Sequence, residues 1–545
     1  MKALKVLSTV LVVSVVATSA VACTSKEDPA PAATGSSSAS PTGSAKPARE
    51  KLDLKWFVGS SAMANANLPS ADKDFVRKVI EEKFNVSLKI DYMNFSADYT
   101  SKMNVILTSG DYPDMFIAQG TDSQKYATDG LLADQSTFVT PQTMPNYFKY
   151  WITQDEINNY QLKGIKHSRS PVPFQRNTYA SFFIRKDWLD KLGLQMPKSY
   201  EELLAAMKAF TEKDPDGNGK KDTYGMSAAA GGGRIPFDFP QWIQNGLVAD
   251  FRVEGNTFIE SQTDPKVQNV IQGIVDMMKD GIVDPDWYVN KAPQHMDKAA
   301  QGKVGVMWSG DPSFGYDTVS NSVQARTKAL DPKADWQPIF PFANAPYGWK
   351  AGTPGGTGPF VFAKSVAEKS PEKIKRSVEI LDWLAGEEGY ILTHYGQEGK
   401  HYKREGNKIT IDPDAIDKDI VKQGDWLNVW RFFTTLDEPA VLKLDVVDPR
   451  LSDRDRAIKK FVEAIPKHKG EPVTLAPPEG TNIGDFRKEM SRLQAQAIFE
   501  DKTGSVWPKY REELMTKYSG GKIFQGYVDQ INVVLPADKK LQPWK

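Results

Sequence analysis

Apolar and polar positions alternate with two periods along the first part of the chain. Leu52-Asp53-Leu54-Lys55-Trp56-Phe57-Val58 has the pattern of a strand that ends at Gly59-Ser60-Ser61. Phe75, Val76, Val79, Ile80 and Phe84 recur at helical spacing, and Val86-Ser87-Leu88-Lys89-Ile90 alternates as a second strand. Tyr99 to Leu107 is helical again, and Asp114-Met115-Phe116-Ile117-Ala118 is a third strand, leading into Gln119-Gly120-Thr121-Asp122. A β-α-β-α-β run predicts a largely parallel sheet with ligands at the carboxyl ends of its strands. Strand patterns resume at Phe182-Phe183-Ile184, Gly305-Val306-Met307-Trp308 and Phe360-Val361-Phe362, and a helix follows through Ile374, Val378 and Leu381. Beyond about Asp412 the pattern is mostly helical. The fold class is therefore α/β.

The N-terminus breaks this pattern. Lys2 and Lys5 precede the apolar stretch Val6 to Val16, which is too short for a mature membrane span and reads as an export signal. It ends in Ala20-Val21-Ala22-Cys23, which resembles a bacterial lipobox, with Ala20 where Leu is usual. Cys23 is the only cysteine. Cleavage before it leaves a thiol to carry a diacylglycerol, an acyl anchor of the palmitate kind that is expected to hold the protein on the extracellular face of the cell membrane. Residues 1–22 are thus read as a lipoprotein signal peptide. Thr24 to Glu50, rich in Ala, Ser, Pro, Thr and Gly, has no large apolar residue to bury, so 23–50 form a lipid-anchored disordered linker spanning about 30 Å.

Residues 51–545 exceed one simple core and predict two lobes. Formal net charge is zero and no basic stripe stands out, which speaks against nucleic acid. No His-Glu-x-x-His or Gly-x-Ser-x-Gly motif occurs, and His167, His295, His394, His401 and His468 are scattered. These absences count against an enzyme, and an exported polysaccharide-degrading enzyme is kept as a rival reading.

Asp214-Pro215-Asp216-Gly217-Asn218-Gly219-Lys220-Lys221-Asp222 is the sharpest local motif. Oxygen side chains fall at positions 1, 3, 5 and 9 (Asp214, Asp216, Asn218, Asp222), Gly219 is at 6 and Lys220 offers its carbonyl at 7, as in the first part of an EF-hand loop. Position 12 is Gly225, not the usual glutamate. The expectation is a structural Ca2+, with a metal-free Asp-Gly turn as the alternative. Ser199 and Glu202 form a capping box for the entering helix.

Three further stretches carry a family resemblance: Ala180-Ser181-Phe182-Phe183-Ile184-Arg185-Lys186-Asp187-Trp188-Leu189-Asp190, Gly356-Thr357-Gly358-Pro359-Phe360 and Tyr395-Gly396-Gln397-Glu398-Gly399-Lys400-His401-Tyr402. With the exported N-terminus they resemble extracellular solute-binding protein family 1, the ABC-importer receptors that include maltose- and alginate-oligosaccharide-binding proteins. The resemblance implies a periplasmic-binding-protein-like type II fold: two α/β lobes joined by crossing strands, with an oligosaccharide in the cleft. It also implies ABC permease subunits as partners and a monomer. The lobes are expected over 51–176 with 360–400 and over 177–359 with 401–545, the crossings lying near 176–183 and 354–361. A peptide ligand on a related scaffold remains the alternative. In the alginate-type relatives an acid just after loop position 9 completes the calcium shell, where this chain has Thr223. Sugar sites combine flat aromatics with hydroxyl-binding polar groups. Trp308, followed by Ser309-Gly310-Asp311, resembles the place where maltose-type binders present an aromatic; Trp242 and Trp349 come next. Gln119, Thr121, Asp122, Arg176, Asn177, Asp311 and Glu398 are the polar candidates. Trp56, Trp188 and Trp383 lie within apolar patterns and are read as core.

Overall fold

The computed structural model describes residues 49–59, 67–93, 97–118, 125–158, 171–248, 250–352, 360–434, 438–470 and 475–544. Cys23, Gln119, Thr121, Asp122 and most of the expected second crossing lie outside the described residues.

In chain order the strands are β1 (Leu52–Gly59), β2 (Val86–Met93), β3 (Met115–Ile117), β4 (Ser181–Arg185), β5 (Tyr224–Met226), β6 (Phe251–Glu254), β7 (Thr257–Glu260) and β8 (Val304–Ser309). They continue with β9 (Trp336–Ile339), β10 (Trp349–Lys350), β11 (Phe360–Phe362), β12 (Tyr402–Glu405), β13 (Lys408–Ile411), β14 (Asp445–Val447) and β15 (Lys467–His468). The first sheet has the order β11-β3-β1-β2. β1 pairs parallel with β2 and β3, as the β-α-β periodicity predicts, but β11 is antiparallel to β3. Val86, Leu88 and Ile90 of β2 are buried and their neighbours exposed, the period-two signature of a half-buried strand. The helix Phe75–Phe84 buries Val76, Ile80 and Phe84, one face at four-residue spacing. Asp74 caps it, accepting from the Arg77 N–H at 3.0 Å, and Asn85 ends it in the left-handed region.

The second sheet has the order β5-β8-β4-β9, with β4 antiparallel to both neighbours. A wholly parallel arrangement does not hold here, because β4 does not follow a helical crossover within its own sheet. It arrives from the other lobe and is free to run either way. All five β4 residues are buried, Phe182 on one face and Phe183 on the other.

Two principal hydrophobic clusters result. One gathers Leu54, Trp56, Ile80 and Met115 with Phe360, Leu381, Ile409 and Leu444. The other gathers Trp188, Phe210, Trp242 and Val306 with Phe486, Phe524 and Ile531. Residues 402–444 therefore pack with the first cluster, not with the second as the boundary at residue 400 would require. The three strands β12, β13 and β14 form their own small sheet there; an amphipathic pattern says that a segment packs, but not onto which core. The chain passes between the clusters between Val172 and Phe182, back between Phe342 and Phe360, and a third time between Leu444 and Ile458. Trp56, Trp188 and Trp383 are all buried.

Candidate functional site

The first two passages lie side by side. The Thr178 hydroxyl donates to the Lys350 carbonyl, and the Gly352 N–H donates to the Arg176 carbonyl at 2.8 Å. A Cβ on Gly352 would fall 1.7 Å from the Gln175 carbonyl oxygen, so the contact requires glycine. β10 pairs in parallel with β15, and the Gly348 N–H reaches the Pro466 carbonyl at 2.8 Å.

This frame carries a row of aromatic rings. Trp308, on the last turn of pleat of β8, stands 5.4 Å from Trp349 on β10. Trp349 meets Phe237 edge-on at 5.5 Å. Trp308, Trp349 and Phe237 are each half-buried, so each keeps part of its surface exposed. Trp242 is different. It is 1% exposed, packs under Phe237 at 5.0 Å and donates its indole N–H to the Pro236 carbonyl at 2.8 Å. Trp242 is thus the support of the row and not a member, which corrects the expectation from sequence. In Phe237-Asp238-Phe239-Pro240-Gln241-Trp242 the inward and outward rings are too close in sequence for periodicity to separate them.

Asp238 follows Phe237 in the chain. Its carboxylate accepts from the Ala229 N–H at 3.2 Å, and burial pushes its pKa up to about 6. Perturbed carboxyls of this kind mark candidate sites. Nothing in the residue spacing singles it out among the acids.

The polar candidates divide. Arg176 is committed within the first lobe: it pairs with both oxygens of Glu156 at 2.8 and 2.9 Å and with the Trp151 carbonyl at 2.6 Å, its guanidinium 4.6 Å over Phe174. Burial would raise the Glu156 carboxyl, but its bonds from Arg176 and Thr153 hold it below its usual range. Asn177 is exposed, and its N–H donates to Glu438. Asp311 is exposed and caps the turn after Trp308, accepting from the Ser313 N–H at 2.8 Å. Glu398 is exposed in a first-lobe turn closed by Gly399 N–H to the Tyr402 carbonyl and His401 N–H to the Gln397 carbonyl.

In the acidic loop Asp214 accepts three backbone N–H bonds, from Gly217, Asn218 and Gly219, at 2.9–3.1 Å. Burial and the neighbouring Asp214 carboxyl push the Asp216 carboxyl up, a crowding that a cation would relieve. The Asn218 amide nitrogen bridges Asp216 and Asp222, and the Lys303 ammonium pairs with Asp222. Thr223 turns inward to the Phe210 carbonyl and supplies no ligand. Gly225 is wedged against Met207 and Ile282, which excludes a glutamate at that place. Among the described residues no three His, Cys, Asp or Glu side chains converge as a metal site. The hard-oxygen donors of the loop suit calcium in kind, with Asn218 and Lys303 occupying its inner side.

Two α/β lobes with interleaved chain passages and a ring-lined frame beside them are the architecture of a type II solute-binding protein. Comparison with known proteins agrees. The signature of the bacterial extracellular solute-binding proteins matches residues 65–391, and the chain belongs to that family. It is 26% identical to lipoprotein LipO of Bacillus subtilis over 62% of this chain, spanning 66% of LipO's length, just under two thirds. It is also 26% identical to the polygalacturonan/rhamnogalacturonan-binding protein YtcQ of the same organism, over 71% of this chain and 73% of that one. In fold it resembles a human-milk-oligosaccharide-binding solute-binding protein of Bifidobacterium longum infantis, with TM-score 0.64 and 19% identity over 91% of this chain and all of that one. It likewise resembles an EF-hand mutant of FusA of Streptococcus pneumoniae bound to fructo-nystose, with TM-score 0.55 and 16% identity over 89% and 99% of the two chains.

Proposed function

We propose that this protein captures an oligosaccharide outside the cell membrane and hands it to the permease of an ABC importer. The observation that carries this reading is the row Trp308–Trp349–Phe237 beside the passages between the lobes. Partly exposed aromatic rings suit the weakly apolar C–H faces of sugar rings. Lobes linked by a few strands close as a hinge, and a ligand that touches both favours the closed state. Relatives that bind polygalacturonan or milk oligosaccharides support the choice of sugar over peptide. No cleavage is expected: the ligand is bound and released intact. Cys23 carries the lipid that holds the protein on the membrane. A structural Ca2+ would be held by Asp214, Asp216, Asn218, Asp222 and the Lys220 carbonyl, pinning the turn that ends the helix Tyr200–Glu212.

The test is a thermal-shift screen of fructo-oligosaccharides, oligogalacturonides and milk oligosaccharides against di- and tripeptides. One sugar class should raise the melting temperature and be recovered uncut by chromatography. A shift with peptides alone would overturn the reading.

A further inference from the structure

The aromatic row does not stop at Phe237. The Arg234 guanidinium lies 5.5 Å over the Phe237 ring, and the same Arg234 lines a separate open surface pocket of about 350 Å³ with Asp250, Phe251, Leu475, Arg487 and Tyr527. Arg234 thus joins the row to the pocket, and this volume falls in the range of small-ligand pockets.

The lining has the chemistry of a sugar subsite. Phe251 and Tyr527 are half-buried, and both rings are fixed by Phe258: Phe251 stacks on it at 5.6 Å, and Tyr527 meets it edge-on at 6.3 Å. Two ion pairs bring polar groups: Arg234 with Asp250 at 2.6 Å, and Arg487 with the buried Glu260 at 2.6 Å. Each arginine already has its counter-charge, so among the described residues the walls present donors and acceptors with little net charge. Such walls bind hydroxyls better than a free carboxylate or ammonium, because an ionic ligand would lose its hydration without gaining an unpaired partner.

We infer that this pocket is a distal subsite that takes a neutral sugar unit of an oligosaccharide extending past Phe237. The inference rests on the reading of the row as a sugar platform and adds chain length as the quantity the protein selects.

The test uses the mature protein and the dimer through hexamer of a neutral series that binds in the thermal-shift screen, fructo-oligosaccharides or milk oligosaccharides, titrated by calorimetry; a shift by oligogalacturonides alone would overturn the neutral subsite. Wild type should bind the tetramer about tenfold or more tighter than the dimer. Leu475→Trp, which fills the pocket, should bring the tetramer down to the dimer's affinity, with the far-ultraviolet spectrum unchanged. Arg234→Ala, at an exposed pair, is the second variant should Leu475→Trp fail to fold, and it should erase most of the same preference. Equal affinities for dimer and tetramer in wild type, or an undiminished tetramer preference in the variants, would overturn the subsite and leave the row standing. Absence of binding by every sugar series would overturn both.

Discussion

Replacing Asp238 by asparagine should stabilise the protein at neutral pH and change little at pH 4. The folded carboxyl has its pKa pushed up to about 6 by burial, against an ordinary value of 3.8. Between these values the folded chain keeps a proton that the unfolded chain has released. Folding therefore takes up a proton, and stability falls as pH rises through this window. The carboxyl's contribution is fully present below about pH 4 and is lost by pH 7. About two units at roughly 1.4 kcal/mol each give a loss of about 3 kcal/mol. Asparagine keeps the oxygen that accepts the Ala229 N–H, and its NH2 takes the place of the carboxylic O–H. It cannot ionise, so the loss disappears. Urea unfolding followed by tryptophan fluorescence, at steps from pH 4 to pH 7.5, measures this directly. The difference between variant and wild type should grow from near zero to about 2–3 kcal/mol in favour of the variant. Curves that stay parallel over the whole range would refute the claim that Asp238 is desolvated.

Trp308→Ala should weaken sugar binding by about 2–4 kcal/mol with a modest change in melting temperature, while Trp242→Ala, in the core beneath the row, should cost about 3–5 kcal/mol of stability; joint calorimetry and thermal melts separate them, and the reverse pattern would exchange their roles. Calcium at a hundredfold excess over Kd should stabilise the protein by about 2–3 kcal/mol, a gain lost in the double variant Asp214→Ala, Asp216→Ala; a melting temperature indifferent to calcium and to chelator would remove the ion. Cys23→Ala should abolish lipid attachment, and a variant that still fractionates with membranes and is processed normally would disprove the anchor.

β2 was legible because one face is buried and the other wet, and β1 and β3 because they are short apolar runs with buried residues on both faces. The passages were partly legible, because the stretch near Arg176 lies between an apolar run and the Ala180–Asp190 motif. What sequence could not show was sidedness. Residues 402–444 look equally ready to cover either core. Trp242 and Trp308 are equally aromatic, and only packing against Phe237 and Pro236 makes the first a support and leaves the second half-open. Phe237 went unmarked because its role depends on β10, which is brought to it from more than a hundred residues further along the chain.

The interleaved passages also set an order of assembly. The four strands of the second sheet all lie between Ser181 and Ile339, so that sheet can form as soon as this stretch is free. The first sheet cannot finish then: its edge strand Phe360–Phe362 follows the entire second sheet in the chain, and until it arrives β3 has an open edge. The second core is closed only afterwards, by the C-terminal helices that contribute Phe486, Phe524 and Ile531. Neither lobe is therefore complete while the chain is still emerging. Both cores therefore depend on segments late in the chain, so a chain cut short before its C-terminal helices would leave the second core without Phe486, Phe524 and Ile531.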